Sequence, residues 1–317
     1  MMRAMSIHLA APVSCLLALA ASAVQSPSGA GQQPAPAAPP ASAPQAAAPA
    51  PGQIPANASE SARARWEALV KAARGESSSA IRAFQLRFDA TVYSGEKQSN
   101  DGKTTYKFLA PGCVSMVLES GRERMRGAQG DFLVDKSGVY ELKGREFSED
   151  QRELDETLAV AKLFVGLTDP GKLRLATLEV LAAPPAGLPE SQKKLAAELD
   201  WIALTSPDFL ARAHGAKETL DRVEIGLDRK TNLPSLALVA DPVRPQSAVL
   251  AQLDKYMLLD GYRVPAEVTT WRAAPAPPGA APASGRLPFS ARAAVKLWLI
   301  DGSLRAQLEP KDFEPPS

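Results

Sequence analysis

Hydrophobic and polar positions alternate along much of the chain beyond residue 60. Between Val223 and Arg272 four alternating stretches follow one another, and Asp260-Gly261 joins the last two. Asp-Gly between apolar runs is a strong hairpin signal, and alternation is typical of a strand with one buried and one solvated face. This stretch therefore predicts four antiparallel strands within a wide, curved sheet.

The same pattern recurs on both sides of these four strands. Ala83 to Tyr93 alternates strictly, and short strands separated by glycine-containing turns are expected from Tyr106 to Leu142. Arg122, Glu123, Arg124 and Arg126 lie at or near one of those turns, and a charged turn is more often a solvated face than a binding site. Near the end, Ala293 to Ile300 predicts a strand of the same sheet, and Leu304 to Leu308 a strand that pairs back after a turn.

Helical periodicity appears in three places. Ser61 to Arg74 has apolar residues at helical spacing, and a short charged helix is expected within Pro189 to Glu198. Ser148 to Val165 begins with capping-box spacing, and Gly166 is expected to end it. Together with the strands, these helices predict an α+β fold, and the helix at Ser148 to Val165 is expected to pack on the apolar face of the sheet. The helix at Ser148 to Val165 either completes an ordinary core or forms a lid over an apolar cavity.

The N-terminal segments have a different composition. Residues 1–23 resemble a secretory signal with a cleavage site before Val24; an uncleaved membrane anchor and a lipid-bearing Cys15 are the alternatives. Residues 24–58 are rich in Ala and Pro, which predicts a disordered linker. Residues 59–317 then form a single domain with a Pro/Ala-rich loop near 273–285.

Charge and residue usage exclude several classes of function. With 36 basic and 35 acidic residues the net charge is +1, which gives no field to attract nucleic acid. Cys113 is the only thiol after the signal and is expected to be a small buried side chain. His214 is the only histidine after it, so neither a soft-metal site nor a catalytic triad is expected. The sequence predicts a protein that is not an enzyme, with no catalytic residues, metal or cofactor.

Several segments resemble the LolA-like family of periplasmic lipoprotein carriers and outer-membrane lipoprotein-sorting proteins. They are the opening helix and the strand after it, the Pro111-Gly112 turn, residues 225–239 and 253–268, and the closing residues 304–316, which are similar to the family's terminal strand. The resemblance implies an incomplete, strongly curved antiparallel barrel whose apolar concave face is covered by helices.

The resemblance also implies a function and a site. It implies a periplasmic, cell-envelope protein that binds lipid or lipoprotein acyl chains in an apolar cavity; the alternative is an interaction protein that uses the same fold to bind an envelope protein. Arg122 and Arg124 are the candidates for a polar rim. The candidate cavity residues are Phe84, Leu86, Phe88, Val92, Phe108, Met116, Leu158 and Phe164.

Overall fold

A computed structural model describes residues 50–75, 77, 79–94, 97–110, 112–142, 160–209, 220–240, 248–274 and 288–316. The expected signal, most of the expected linker and most of the Pro/Ala-rich loop lie outside these ranges. Part of residues 50–58, which the sequence assigns to the linker, contacts the domain. The Gly52 amide donates a hydrogen bond to the Leu173 carbonyl at 3.0 Å, and Ile54 packs against the core.

The described residues form one sheet of thirteen strands. In chain order the strands are β1 (Ala83–Ser94), β2 (Lys97–Leu109), β3 (Cys113–Leu118), β4 (Glu123–Gly127), β5 (Gly130–Asp135), β6 (Gly138–Glu141), β7 (Thr177–Leu181), β8 (Asp200–Ser206), β9 (Asp221–Leu227), β10 (Pro234–Ala240), β11 (Val249–Leu259), β12 (Tyr262–Arg272) and β13 (Val295–Ser303).

Two antiparallel meanders make up the sheet, whose strand order is β6-β5-β4-β3-β2-β1-β13-β12-β11-β10-β9-β8-β7. The first and last strands, β1 and β13, pair in the middle and join the meanders. Among the described residues, the sheet ends at β6 and β7 and is not closed into a barrel. The predicted fold class, an α+β fold built on an open, curved antiparallel sheet, is confirmed.

The hairpin between β11 and β12 forms where Asp260-Gly261 predicts it. Leu259 pairs with Tyr262, and the two turn residues between them have positive φ angles of 49° and 85°. This is the backbone twist that a two-residue hairpin turn requires. Asp260 also accepts a hydrogen bond from the Leu304 amide at 2.7 Å, so the turn holds the start of the C-terminal tail.

Helix α1 (Glu60–Arg74) covers part of the concave face. Ser59 caps it by accepting a hydrogen bond from the Ala62 amide at 3.2 Å, and Trp66 and Leu69 point into the main core. That core joins inward-facing residues from strands in both halves of the sheet. Because apolar side chains on so many strands converge on one face, the concave side is the interior of the protein.

Two further helices lie on opposite faces of the sheet. Residues 160–168 are helical (α2), and Leu163 and Phe164 pack into the main core, on the same side as α1. Helix α3 (Glu190–Glu198) instead packs on the outer face, where Ala196 joins a second cluster that contains Trp201 and Leu238. The expected helix start at Ser148 lies outside the described residues.

Three local expectations from the sequence are wrong. Glu123–Gly127 is not a solvated turn but strand β4, whose Arg124 and Arg126 are each only 5% exposed. Helix α2 does not end at Gly166 but continues to residue 168. Strand β13 runs through Gly302, and residues 304–308 form no return strand; only Arg305 makes an isolated bridge, to Ala83.

Candidate functional site

A cavity of about 340 Å³ lies on the concave side of the sheet. Its apolar lining comes largely from the middle of the sheet, where β1 pairs with β13: Ala90 faces Leu297, and Val92 faces Val295. Because residues two apart on a strand share a face, these four side chains form one continuous patch. This patch is the floor of the cavity.

The neighbouring strands supply the remaining walls. Toward β3, the wall contains Thr104, Tyr106, Met116 and Leu118; toward β11, it contains Val249 and Thr270, and Val160 borders the cavity from α2. The lining is therefore mostly apolar and has a few polar groups, which is the usual character of a pocket for small organic ligands.

In the part of the chain that the structure describes, three arginine side chains also line this cavity. Arg124 approaches from β4, Arg122 from the turn before it, and Arg272 from the end of β12. Arg124 is opposite Met116 on β3, which fixes its side chain on the concave face. Arg126, on the same face, forms a two-bond ion pair with Asp131, and both contacts are 2.5 Å.

The space below α2 is filled by aromatic rings. Phe84 stacks on Phe108 with ring centroids 5.4 Å apart and lies 5.7 Å from Phe164, while Phe88 meets Tyr106 edge to face at 5.6 Å. Only about 10 Å³ of space is left between this cluster and α2. That is room for one water molecule at most, so α2 completes a packed core at this point.

The candidate residues from the sequence fall into two groups. Phe84, Leu86, Phe88 and Phe164 border the small void, and Phe108 packs beside Phe84. The second group lines the large cavity and consists of Val92, Met116, Arg122 and Arg124. Leu158 lies outside the described residues.

Several lining residues were not among the sequence candidates. Ala90 could have been found, because it belongs to the same alternation as Phe88 and Val92. Val295 and Leu297 alternate in the same way, but nothing in the sequence shows that the last strand pairs with the first. Thr104 and Arg272 carry no local signal, since their place in the cavity depends on the order of strands in the sheet.

Cys113 is half-buried rather than fully buried. Burial raises the pKa of its thiol above the ordinary value, because a low-dielectric surrounding disfavours the thiolate. At neutral pH the side chain is therefore a protonated thiol, which is a poor nucleophile.

In the described part of the chain, no group of three or more His, Cys, Asp or Glu side chains is arranged to hold a metal ion. None of the described helices has both the length and the apolar character needed to cross a membrane.

The chain was compared with known proteins. No protein-family model matches the sequence, and no curated protein is significantly similar to it. Solved structures do match. One is an outer membrane lipoprotein-sorting protein domain from Vibrio parahaemolyticus, with a TM-score of 0.44 and 13% identity, over 80% of this chain and 97% of that one.

Two further solved structures also match. A LolA superfamily protein from Nitrosomonas europaea matches with a TM-score of 0.41 and 13% identity, over 78% of this chain and 96% of that one. A DUF1329 family protein from Desulfovibrio piger matches with a TM-score of 0.39 and 12% identity, over 81% and 98% of the two chains. The solved structures that match include LolA-like proteins, the group that the sequence resembles. At such low sequence identity, these structural matches say nothing about ligands.

Proposed function

We propose that this protein is a non-catalytic binding protein of the cell envelope that holds an acyl chain in the cavity above the paired strands β1 and β13. The observation that carries the proposal is the 340 Å³ cavity with its continuous floor of Ala90, Val92, Val295 and Leu297. Its volume lies within the range of about 300–1,000 Å³ that is typical of ligand pockets. The secretory signal expected in residues 1–23 supports a periplasmic location.

The energetics of an acyl chain suit a carrier that performs no chemistry. Removing the chain from water is favourable by about 0.8 kcal/mol per methylene group. A membrane offers the chain almost the same apolar surroundings, so exchange between membrane and cavity is close to neutral in free energy. The protein can then take up and release cargo without a covalent step.

The cavity, rather than the space below α2, is the expected acyl site. The aromatic cluster around Phe84 and Phe164 leaves about 10 Å³, which is too little for even a short chain. A chain that entered there would have to displace buried rings. A chain that binds on the cavity floor formed by β1 and β13 displaces no buried ring.

A cavity-filling variant tests the proposal with N-phenyl-1-naphthylamine, a neutral dye that fluoresces in apolar surroundings. Val92→Trp places an indole on the cavity floor, whereas Thr91→Trp places the same side chain on the opposite face of β1. We expect the wild type and Thr91→Trp to bind the dye with similar affinity. Val92→Trp should lose at least about tenfold in affinity, since the indole occupies the site.

Circular dichroism and thermal unfolding of both variants serve as the control for folding. A wild-type protein that does not bind the dye, or a folded Val92→Trp variant that binds it as well as Thr91→Trp, would contradict the proposal. The alternative from the sequence, docking of an envelope protein, would then become the leading hypothesis. Trp298 and Ile300, exposed on the outer face of β13, are the described surface at which such a partner would be sought.

A further inference from the structure

Arginine side chains approach the cavity from two different walls. One wall contains Arg124, on β4, and Arg122, in the turn before it; the other contains Arg272, at the end of β12. Strands β3, β2, β1 and β13 lie between these two walls in the sheet. A purely apolar ligand would desolvate the guanidinium groups without binding them, and desolvating a charge costs free energy. Their position therefore points to a polar part of the ligand.

A buried hydroxyl group in the same cavity points the same way. Thr104 is 1% exposed and lines the cavity, and its hydroxyl has no hydrogen-bond partner among the described residues. Its strand neighbours on the concave face, Phe88 and Leu118, are apolar. Buried hydroxyls in proteins are normally hydrogen-bonded, so this unsatisfied group adds polar character to the cavity wall.

We propose that the ligand is a single-chain amphiphile with an acidic head group, a carboxylate or a phosphate, whose oxygens are bound by the cavity arginines. This inference rests on the proposed function, because it concerns the head group of the same ligand. The acyl chain of that ligand lies on the cavity floor formed by β1 and β13. A guanidinium carries five N–H donors in a planar fork. It can therefore keep an internal partner and still bind an oxyanion, and such charge-assisted hydrogen bonds are stronger than neutral ones.

The test compares ligands that share one chain and differ in the head group. Dodecanoate, dodecyl phosphate and dodecanol are titrated into the full chain by isothermal calorimetry at neutral pH. We expect at least one of the two anions to bind about tenfold or more tightly than dodecanol, and its advantage to shrink as salt is added. The anion that binds more tightly identifies the head group.

Charge-removing variants assign the effect to the cavity. Arg122→Gln and Arg272→Gln, both at half-buried positions, each remove an arginine from one wall. The variant on the wall that binds the head group should bring the anion's affinity close to that of dodecanol and leave dodecanol binding unchanged. Arg87→Gln is the matched control, because Arg87 lies on the outer face of β1, where it pairs with Asp301. It should leave all three affinities unchanged.

The outcomes separate the two proposals. Equal binding of all three ligands, or an anion preference that both cavity variants retain, would overturn the acidic head group and leave the acyl site standing. Binding of none of the three by the folded wild type would overturn the acyl site itself. An anion preference that falls equally in Arg87→Gln would show a general charge effect and would also overturn the inference.

Discussion

At the scale of single residues, the arginines of the segment Arg-Glu-Arg-Met-Arg decide the character of the concave face. Arg124 and Arg126 share one side of β4 because side chains alternate along a strand, and Arg122 lies in the turn just before it. Arg122 and Arg124 line the cavity, whereas Arg126 is fixed by Asp131. The same charged segment thus contributes both to the candidate site and to the packing beside it.

The Arg126–Asp131 pair gives a prediction about stability. Both side chains are almost fully buried, with exposures of 6% and 9%, so removing one partner leaves a buried charge. We expect Arg126→Leu to lower the free energy of unfolding by about 3–5 kcal/mol. The double variant Arg126→Leu/Asp131→Leu should recover most of this loss, because no lone charge remains.

Urea denaturation of the wild type, both single variants and the double variant provides the thermodynamic cycle. If the double variant lost as much stability as the sum of the two single variants, the pair would not act as a unit. That result would contradict the assignment of Arg126 as a neutralised structural residue.

At the scale of elements, alternation in the sequence predicts most of the strands, while the corrections come from contacts between distant residues. The charged residues of β4 predict a solvated turn. They are buried because Arg126 pairs with Asp131 on β5 and Arg124 lies on the concave face. Likewise, Asp301-Gly302 looks like a hairpin turn. Gly302 instead lies opposite Leu86, where a Cβ would come within 2.5 Å of the Gln85 carbonyl oxygen.

Helix α2 offers a test of packing at the same scale. Gly166 lies within the helix and close to the ring of Phe209. A Cβ at this position would be 2.8 Å from the ring, which is fully buried and cannot easily move aside. Gly166→Ala would gain about 1 kcal/mol in helix propensity. We expect overpacking, which typically costs about 1–3 kcal/mol, to outweigh that gain and lower the melting temperature.

Gly112→Ala is the matched control for this measurement. A Cβ at Gly112 would meet no atom within 4 Å, so the substitution should be neutral or slightly stabilising. A Gly166→Ala variant that melts above the wild type would contradict the close packing of α2 on Phe209.

At the scale of the whole molecule, the pairing of the first strand with the last creates the site. Strand β1 starts the first meander and β13 ends the second, and their shared floor holds Val92 and Val295 side by side. The sequence predicted the curved sheet, its helical cover and an apolar interior. It could not predict where the interior stays open, because that depends on which strands from opposite ends of the chain become neighbours.

The most direct measurement of the central claim is a crystal structure with ω-bromododecanoate, in which anomalous scattering locates the bromine atom at the end of the chain. We expect a bromine peak inside the cavity, within about 4 Å of Val92, Val295 or Leu297, with the carboxylate directed toward Arg122, Arg124 or Arg272. Bromine found only on the outer surface, or only among the displaced rings of the aromatic cluster below α2, would contradict the account.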